Sequence, residues 1–521
     1  MSAVRWACLV AALGAAAFLL ADPHSADLAA QTYRAGLVRD GGLGLWDDGW
    51  FAGHHTPAYS VLSAPLGAAL GVGLAGALPA LAAAALFARL AQRHWGERAG
   101  SVAAAWFAVG LVATLFSGRL TFLLGVAPGL GAMLALGSAG RDRRWPAPLA
   151  AALAVLATLA SPVAGLFVAL AAVAWGLAGG ERAAGAAVAA AALAPAAVLA
   201  VLFPEGGTEP FVASAFWPAL AATALTAVVV GARDRALRAG AALYAPACVA
   251  AFAFATPLGG NVTRLGALLA GPVVAGALLA GRRSPALLLA LALPLGYWQV
   301  YPAVRDVVRA SGDPSTAAAY HAPLVRYLQH RPGTFRVEIP MTANHWEAAH
   351  VAPHVALARG WERQLDRRYG ALFYDGSLDA RSYRAWLDEH AVAYVALPDA
   401  ALDASSQAEA RLVEHGLPYL RAVWRDAHWR VFAVRRPAPL AQGAGSSSKL
   451  APTIELQAHA FTIRARHRGD VLVRVRHSRW WTITAGRACV SRAAGGMTRV
   501  RVLAPGTVRV AARLSGPACR R

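Results

Sequence analysis

Charge is scarce in this chain: of 521 residues only 15% are Asp, Glu, Lys or Arg, and Lys449 is the only lysine. Together with 57% hydrophobic residues and a mean hydropathy of +0.45, that scarcity excludes a disordered chain, a coiled coil and a soluble globular protein of this size. Cysteine is scarce too, with four residues, which excludes a disulfide-rich secreted module. Cys8 and Cys248 lie inside apolar runs, leaving Cys489 and Cys519 as the pair able to bridge. Acidic residues are outnumbered, 28 against 49 basic ones, for a net charge of +21. In so apolar a chain arginine first serves orientation in a membrane, so the excess does not by itself imply nucleic acid. Walker A loops, dinucleotide fingerprints and CxxC pairs are absent, which leaves nucleotide-driven transport and redox chemistry without support.

What is present, from residue 5 to about 300, is a series of apolar runs separated by short turns rich in Gly, Pro and Arg. A spanning helix needs about 20 mainly apolar residues. Eleven candidates lie near 5–21, 61–88, 99–116, 120–138, 147–160, 163–179, 183–203, 211–231, 239–256, 263–281 and 285–301. The breaks at Gly118 and at Ser161-Pro162 leave open a broken helix in place of two spans. Every second loop is basic: Arg5; Arg89, Arg93 and Arg98; Arg141, Arg143 and Arg144; Arg182; Arg233, Arg235 and Arg238; Arg282 and Arg283. This alternation predicts a multi-pass cell-membrane protein with a cytoplasmic N-terminus and extracytoplasmic C-terminal domains.

Composition divides the chain into a transmembrane domain at 1–303, with a first external loop at 22–60, and a soluble part beyond it. The fold expected is an α-helical polytopic membrane protein of about 11 transmembrane helices with an external C-terminal α/β domain and a small β-sandwich. The α/β domain is placed at 304–436, from strand patterns at 334–340 and 392–398 and helix patterns at 379–390 and 406–416. A linker rich in Pro, Gly and Ser follows at 437–449. Residues 450–521 alternate with period two and carry fourteen arginines against Glu455 and Asp470, a face suited either to solvent or to an anionic membrane lipid or cell-envelope glycan.

Chemistry concentrates in the first external loop. It holds Asp22, Asp27, Asp40, Asp47 and Asp48, His24, His54 and His55, and the rings of Tyr33, Trp46, Trp50 and Tyr59. Carboxylates beside a low-dielectric slab suit general base activation of a hydroxyl or the holding of a divalent metal ion. An interfacial polar loop with aromatic anchors accounts for the same residues. SGRLTF (117–122) and PLGGNVTRLG (257–266) each set an arginine, Arg119 or Arg264, beside glycines at a helix start, where it can hold a lipid phosphate or simply snorkel. In the soluble part, NHWEAAHVAPH (344–354) offers His345 and Trp346 as sugar contacts. Glu347, His350 and His354 share a helical face there, but Pro353 interrupts it.

A first spanning helix, an external Asp27 followed by LAAQTYRAGLVRDG, the run LWDDGWFAGHHTPAYSVLSAPL and many further spans together resemble the GT-C superfamily of integral-membrane glycosyltransferases, and more narrowly actinobacterial-type membrane proteins. The resemblance implies a GT-C-like transmembrane fold and transfer of a sugar from a polyprenyl-phosphate donor to an extracytoplasmic acceptor. It further implies an acidic residue of the first loop as catalytic base or metal-site residue. Asp27 matches that position best, and Asp47 and Asp48 are the second-acid candidates; Arg119, Arg264, Trp50, His54, His55, His345 and Trp346 are the substrate-binding ones. Asp27 is followed by Leu28 where the best-known pattern has a second acid. Two other classes remain open: a secondary transporter of the major facilitator type and a non-catalytic cell-envelope scaffold that binds glycan.

Overall fold

The computed structural model describes residues 3–138, 146–232, 234–447 and 451–520. Arg141, Arg143, Arg144, Arg233, Lys449 and Arg521 lie outside the described residues. The chain forms two compact units, one of residues 1–31 and 58–311, the other of 32–57 and 312–521.

The first unit is helical. Its elements are α1 (Ala3–Ala21), the start of α2 (Ala26–Gly41), α3 (Ser63–Leu70), α4 (Val72–Phe116), α5 (Leu120–Leu136), α6 (Pro146–Ala160), α7 (Pro162–Leu177), α8 (Arg182–Leu202), α9 (Ala213–Val230), α10 (Arg235–Ala253), α11 (Thr263–Ala280) and α12 (Pro285–Ala310). Among the described residues, seven helices are long and apolar enough to cross a membrane, and α5, α6 and α7 are shorter apolar ones. The chain is a multi-pass membrane protein. The 45-residue α4 contains a non-helical Gly96 (φ 78°), which separates the two runs read from the sequence at 61–88 and 99–116. Ser161 likewise ends α6 and caps α7, its hydroxyl accepting from the Ala164 N–H.

Small residues let these helices approach closely, as they must where lipid offers no hydrophobic driving force. Helices α5 to α8 meet in a core built almost wholly of alanine, including Ala132, Ala154, Ala157, Ala172 and Ala192. Within it the Thr158 hydroxyl donates to the Ala192 carbonyl at 2.7 Å. Elsewhere the Trp106 indole N–H donates to Gln299 Oε1 at 2.9 Å, and Gln299 Nε2 donates to the Leu268 carbonyl at 3.2 Å, tying α4, α12 and α11 together.

The second unit adds α13 (Ala318–Gln329), α14 (Glu347–His350), α15 (Arg363–Tyr369), α16 (Ala380–Glu389) and α17 (Gln407–Glu414) around one sheet. That sheet runs β1 (Arg336–Glu338), β2 (Val392–Pro398), β4 (Trp429–Val434), β3 (Leu420–Arg425); β1 and β2 are parallel and the rest antiparallel. Asp379 and Ser382 form a capping box that starts α16. Beyond it come β5 (Ala441–Gly443), β6 (Thr453–Gln457), β7 (Ala460–Ala465), β8 (Gly469–Arg476), β9 (Trp481–Ala485), β10 (Ala488–Arg492), β11 (Met497–Val502), β12 (Gly506–Ala512) and β13 (Cys519–Arg520). They make sheets ordered β13-β10-β11-β8-β5 and β6-β7-β12-β9, with Phe461, Ile463, Val471, Val473, Val500 and Val510 in a shared core. Strand β5 lies inside the stretch read as a linker, where Ala441 and Gly443 pair with Val473 and Val471. Cys489 and Cys519 face each other across β10 and β13 and form a disulfide.

The loop at 22–60 is more ordered than its composition predicts. It opens with α2, and its later residues are built into the second unit: Trp46 enters the β-core against Trp481, ring centroids 5.0 Å apart. The Gly49 carbonyl accepts from Leu357 N at 2.8 Å, and the Phe51 carbonyl from Arg476 Nε at 2.7 Å.

Candidate functional site

Asp27 sits in the first turn of α2, where the helix dipole favours a negative charge. That turn is seated against the turn joining α4 to α5. Gly118 there has φ 74°, and a Cβ on it would fall 2.5 Å from Ser25 Oγ, 3.0 Å from Leu28 Cγ and 3.1 Å from Leu28 N. Gln31, one helical turn beyond Asp27, donates from Nε2 to the Gly118 carbonyl and to the Asp27 carbonyl, the latter at 3.1 Å. The glycine and the glutamine therefore fix where the Asp27 turn lies.

Arg119 follows Gly118 directly and occupies the N-cap position of α5. Arg264 stands in the first turn of α11, whose start is braced by Tyr244: its hydroxyl donates to the Val262 carbonyl at 2.7 Å and accepts from Gly266 N at 3.1 Å. The Arg264 guanidinium lies 5.6 Å from the Phe122 ring centroid. Arg119 and Arg264, 145 positions apart in sequence, line one narrow cleft of about 30 Å³ with Thr114, Ser117, Phe122 and Gln299. The guanidinium of Arg119 and the carboxylates of Asp27 and Glu209 lie within electrostatic range of Arg264. Two guanidiniums lining one cleft form an arrangement able to bind an anion. Glu209, Gln31 and Gln299 were given no role by sequence reasoning. They sit at unremarkable positions, and no local pattern points to them.

Asp47 and Asp48 belong to the second unit, Asp27 to the first, so the structure does not gather the three acids into one compact unit. Asp47 Oδ1 accepts from the Tyr33 hydroxyl and from Gly49 N, both at 2.8 Å, and Asp48 Oδ1 accepts from the Trp46 indole at 2.7 Å. Burial, eased by the Trp46 hydrogen bond, pushes the Asp48 carboxyl up to about 7.

Trp50, His54 and His55 are buried. Trp50 stacks on Tyr33 at 4.4 Å and on His54 at 5.8 Å, and His55 Nε2 bonds Ser478 Oγ at 2.8 Å; these side chains fasten the loop within the second unit. His345 and Trp346 are buried as well. His345 stacks on Trp361 with centroids 3.4 Å apart, and burial pushes its imidazole down to about 4. Glu347 accepts from the Thr342 hydroxyl at 2.6 Å and is pushed up to about 7 by burial. The helix bearing Glu347 and His350 ends at His350, so His354 does not share its face. Among the described residues no group of three or more His, Cys, Asp or Glu is arranged to hold a metal ion. With Leu28 beside Asp27, the donors at this turn do not fit a divalent ion.

No family model and no curated protein sequence matches the chain. Among solved structures it is similar to the arabinofuranosyltransferase AftD from Mycobacteria, over 98% of this chain and 60% of that one, at 15% identity and a TM-score of 0.49. It is also similar to ArnT from Cupriavidus metallidurans bound to undecaprenyl phosphate, over 82% of this chain and 98% of that one, at 16% identity and a TM-score of 0.48. The chain spans 60% of the length of the AftD chain, and no residue role passes from either neighbour to this one.

Proposed function

We propose that this chain is a GT-C-type membrane glycosyltransferase that moves a sugar from a polyprenyl-phosphate donor to an extracytoplasmic acceptor. The observation that supports this reading is that Arg119 and Arg264 line one cleft and that the Asp27 carboxylate lies within electrostatic range of Arg264. Asp27 takes the proton from the acceptor hydroxyl as that oxygen bonds to the anomeric carbon. The bond from that carbon to the phosphate oxygen breaks, its electron pair leaves with the lipid phosphate, and Arg119 and Arg264 balance the charge that develops there. Attack from the face opposite the phosphate inverts the anomeric centre.

In this reading α4 crosses twice on either side of Gly96, and with the three shorter helices the chain crosses eleven times. The basic alternate loops then put the N-terminus in the cytoplasm and the second unit outside. Exposed arginines of the β-sheets, such as Arg464, Arg499 and Arg509, face anionic lipid or envelope glycan there.

The test is release of free polyprenyl phosphate from a panel of polyprenyl-phosphate sugars by the purified chain in lipid nanodiscs. Turnover of at least one donor is expected, whereas a well-folded chain that turns over none would sink the reading.

A further inference from the structure

Proline interrupts α11 just beyond the turn that carries Arg264. Pro272 lies inside the helix and has no N–H, so the Leu268 carbonyl, four residues back, receives no bond from it. Leu268 stands one turn after Arg264, and both line the cleft with Arg119. A carbonyl left open among apolar helices costs free energy unless another group donates to it.

Gln299 makes that donation. From α12 its Nε2 donates to the Leu268 carbonyl at 3.2 Å, while its Oε1 accepts from the Trp106 indole of α4 at 2.9 Å. The side chain is 8% exposed, and both ends of its amide are engaged within the protein. Two buried glycines let the parts approach. A Cβ on Gly110 of α4 would fall 2.3 Å from Gln299 Nε2, and one on Gly271 of α11 would fall 2.5 Å from the Trp106 ring. A side chain at either position would push the amide or the indole off α11.

We infer that Gln299 is a positioning residue for the anion cleft: its amide replaces the N–H that Pro272 lacks and so fixes the turn of α11 that bears Arg264. Gln299 acts on a bound anion through Arg264, and Trp106 holds the amide in the orientation that does this. That the anion is a polyprenyl phosphate rests on the function proposed above; the clamp of α4, α11 and α12 stands without it.

The experiment compares the full chain in nanodiscs as wild type, Gln299→Leu, Trp106→Phe and the double variant Pro272→Ala with Gln299→Leu, at equal folded yield. Hydrogen exchange over residues 264–271 and affinity for a polyprenyl phosphate are both measured. Gln299→Leu should speed the exchange and weaken the binding, each by about three- to twentyfold, the range one interhelical hydrogen bond supplies. Trp106→Phe, outside the cleft lining, should shift both in the same direction because it frees Gln299 Oε1. In the double variant the new Ala N–H returns to the Leu268 carbonyl, and exchange should fall back towards wild type. In an Arg264→Gln background, Gln299→Leu should weaken binding no further.

Wild-type exchange in Gln299→Leu would overturn the assignment, and so would a double variant that exchanges as fast as Gln299→Leu alone. Weaker binding in Gln299→Leu with Trp106→Phe unchanged would also overturn it, since the amide would then touch the phosphate directly. A full further loss in the Arg264→Gln background would do the same. The exchange measurement needs no donor: faster exchange in Gln299→Leu of a chain that neither binds nor releases polyprenyl phosphate would remove the transferase reading and leave the clamp. Release of polyprenyl phosphate by a chain whose exchange Gln299→Leu leaves unchanged would do the reverse.

Discussion

Replacing Gly118 by alanine tests whether the seat of the Asp27 turn matters to turnover. Two effects add at this position. The residue has φ 74°, and a non-glycine side chain in the left-handed region costs about 1–2 kcal/mol. The new Cβ would also stand 2.5 Å from Ser25 Oγ and 3.1 Å from the Leu28 backbone nitrogen. The Ser25 hydroxyl can rotate away, but the Leu28 backbone must give by a few tenths of an ångström, and Asp27 moves with it. A misplacement of about 1 Å costs up to about 10²-fold in rate, so a shift of a few tenths of an ångström predicts a loss of up to about tenfold in kcat. Gly71→Ala is the control: Gly71 also has positive φ (81°) but has nothing within 4 Å of a new Cβ. It should lose stability and keep turnover. The assay is polyprenyl-phosphate release by both variants at matched folded yield, with thermal unfolding alongside. Wild-type kcat in Gly118→Ala, or equal losses in the two variants, would refute the argument that this contact positions the base.

Three further outcomes follow from the same structure. Arg119→Gln and Arg264→Gln should each raise the donor KM at least tenfold, with the double change less than additive because both line one cleft; equal KM values in wild type and variants would remove the phosphate assignment. His390 is buried, its Nδ1 bonded to the Trp386 carbonyl at 3.0 Å and its Nε2 to Arg476 at 3.1 Å, and burial pushes its pKa down to about 3. The unfolded chain binds this proton near pH 6.5 and the folded chain does not, so stability is lost as pH falls from 6.5 towards 3, by at most roughly 4–5 kcal/mol. Melting curves of His390→Gln should be flatter than wild type over that window, and parallel curves would refute the assignment. The Cys489–Cys519 disulfide closes a 30-residue loop, worth roughly 3.6 kcal/mol, so Cys489→Ser should lower the melting temperature of the second unit, a loss that reductant reproduces in wild type and does not add to in the variant.

How much of this was legible in the sequence depended on how local the determining contacts are. The β2 strand appears over the residues predicted, 392–398, and α16 begins at a capping box written within four residues. The apolar runs of the first unit became helices because their hydrophobicity alone demands it. The 437–449 stretch hid a strand because its three paired residues, Ala441–Gly443, have no strand-like pattern and depend on β8 to supply the ladder. The first loop looked like a polar surface loop because its partners lie hundreds of residues away: Arg34 pairs with Glu362, and His55 bonds Ser478. At the candidate site, the glycine-flanked Arg119 and Arg264 and the acid Asp27 could each be picked out singly. That Arg119 and Arg264 line one cleft could not, since it depends on how α5 and α11 pack, and Glu209 and Gln31 carry no signal outside that packing.

The central claim is that Asp27 is the base of a lipid-dependent transfer. It is tested most directly by polyprenyl-phosphate release from the best donor in nanodiscs, comparing wild type with Asp27→Asn at equal folded yield. The account predicts turnover by wild type and a loss of at least about 10²-fold in kcat for Asp27→Asn, the scale of a missing general base. Wild-type turnover by Asp27→Asn would contradict it and return the first-loop acid to a structural role.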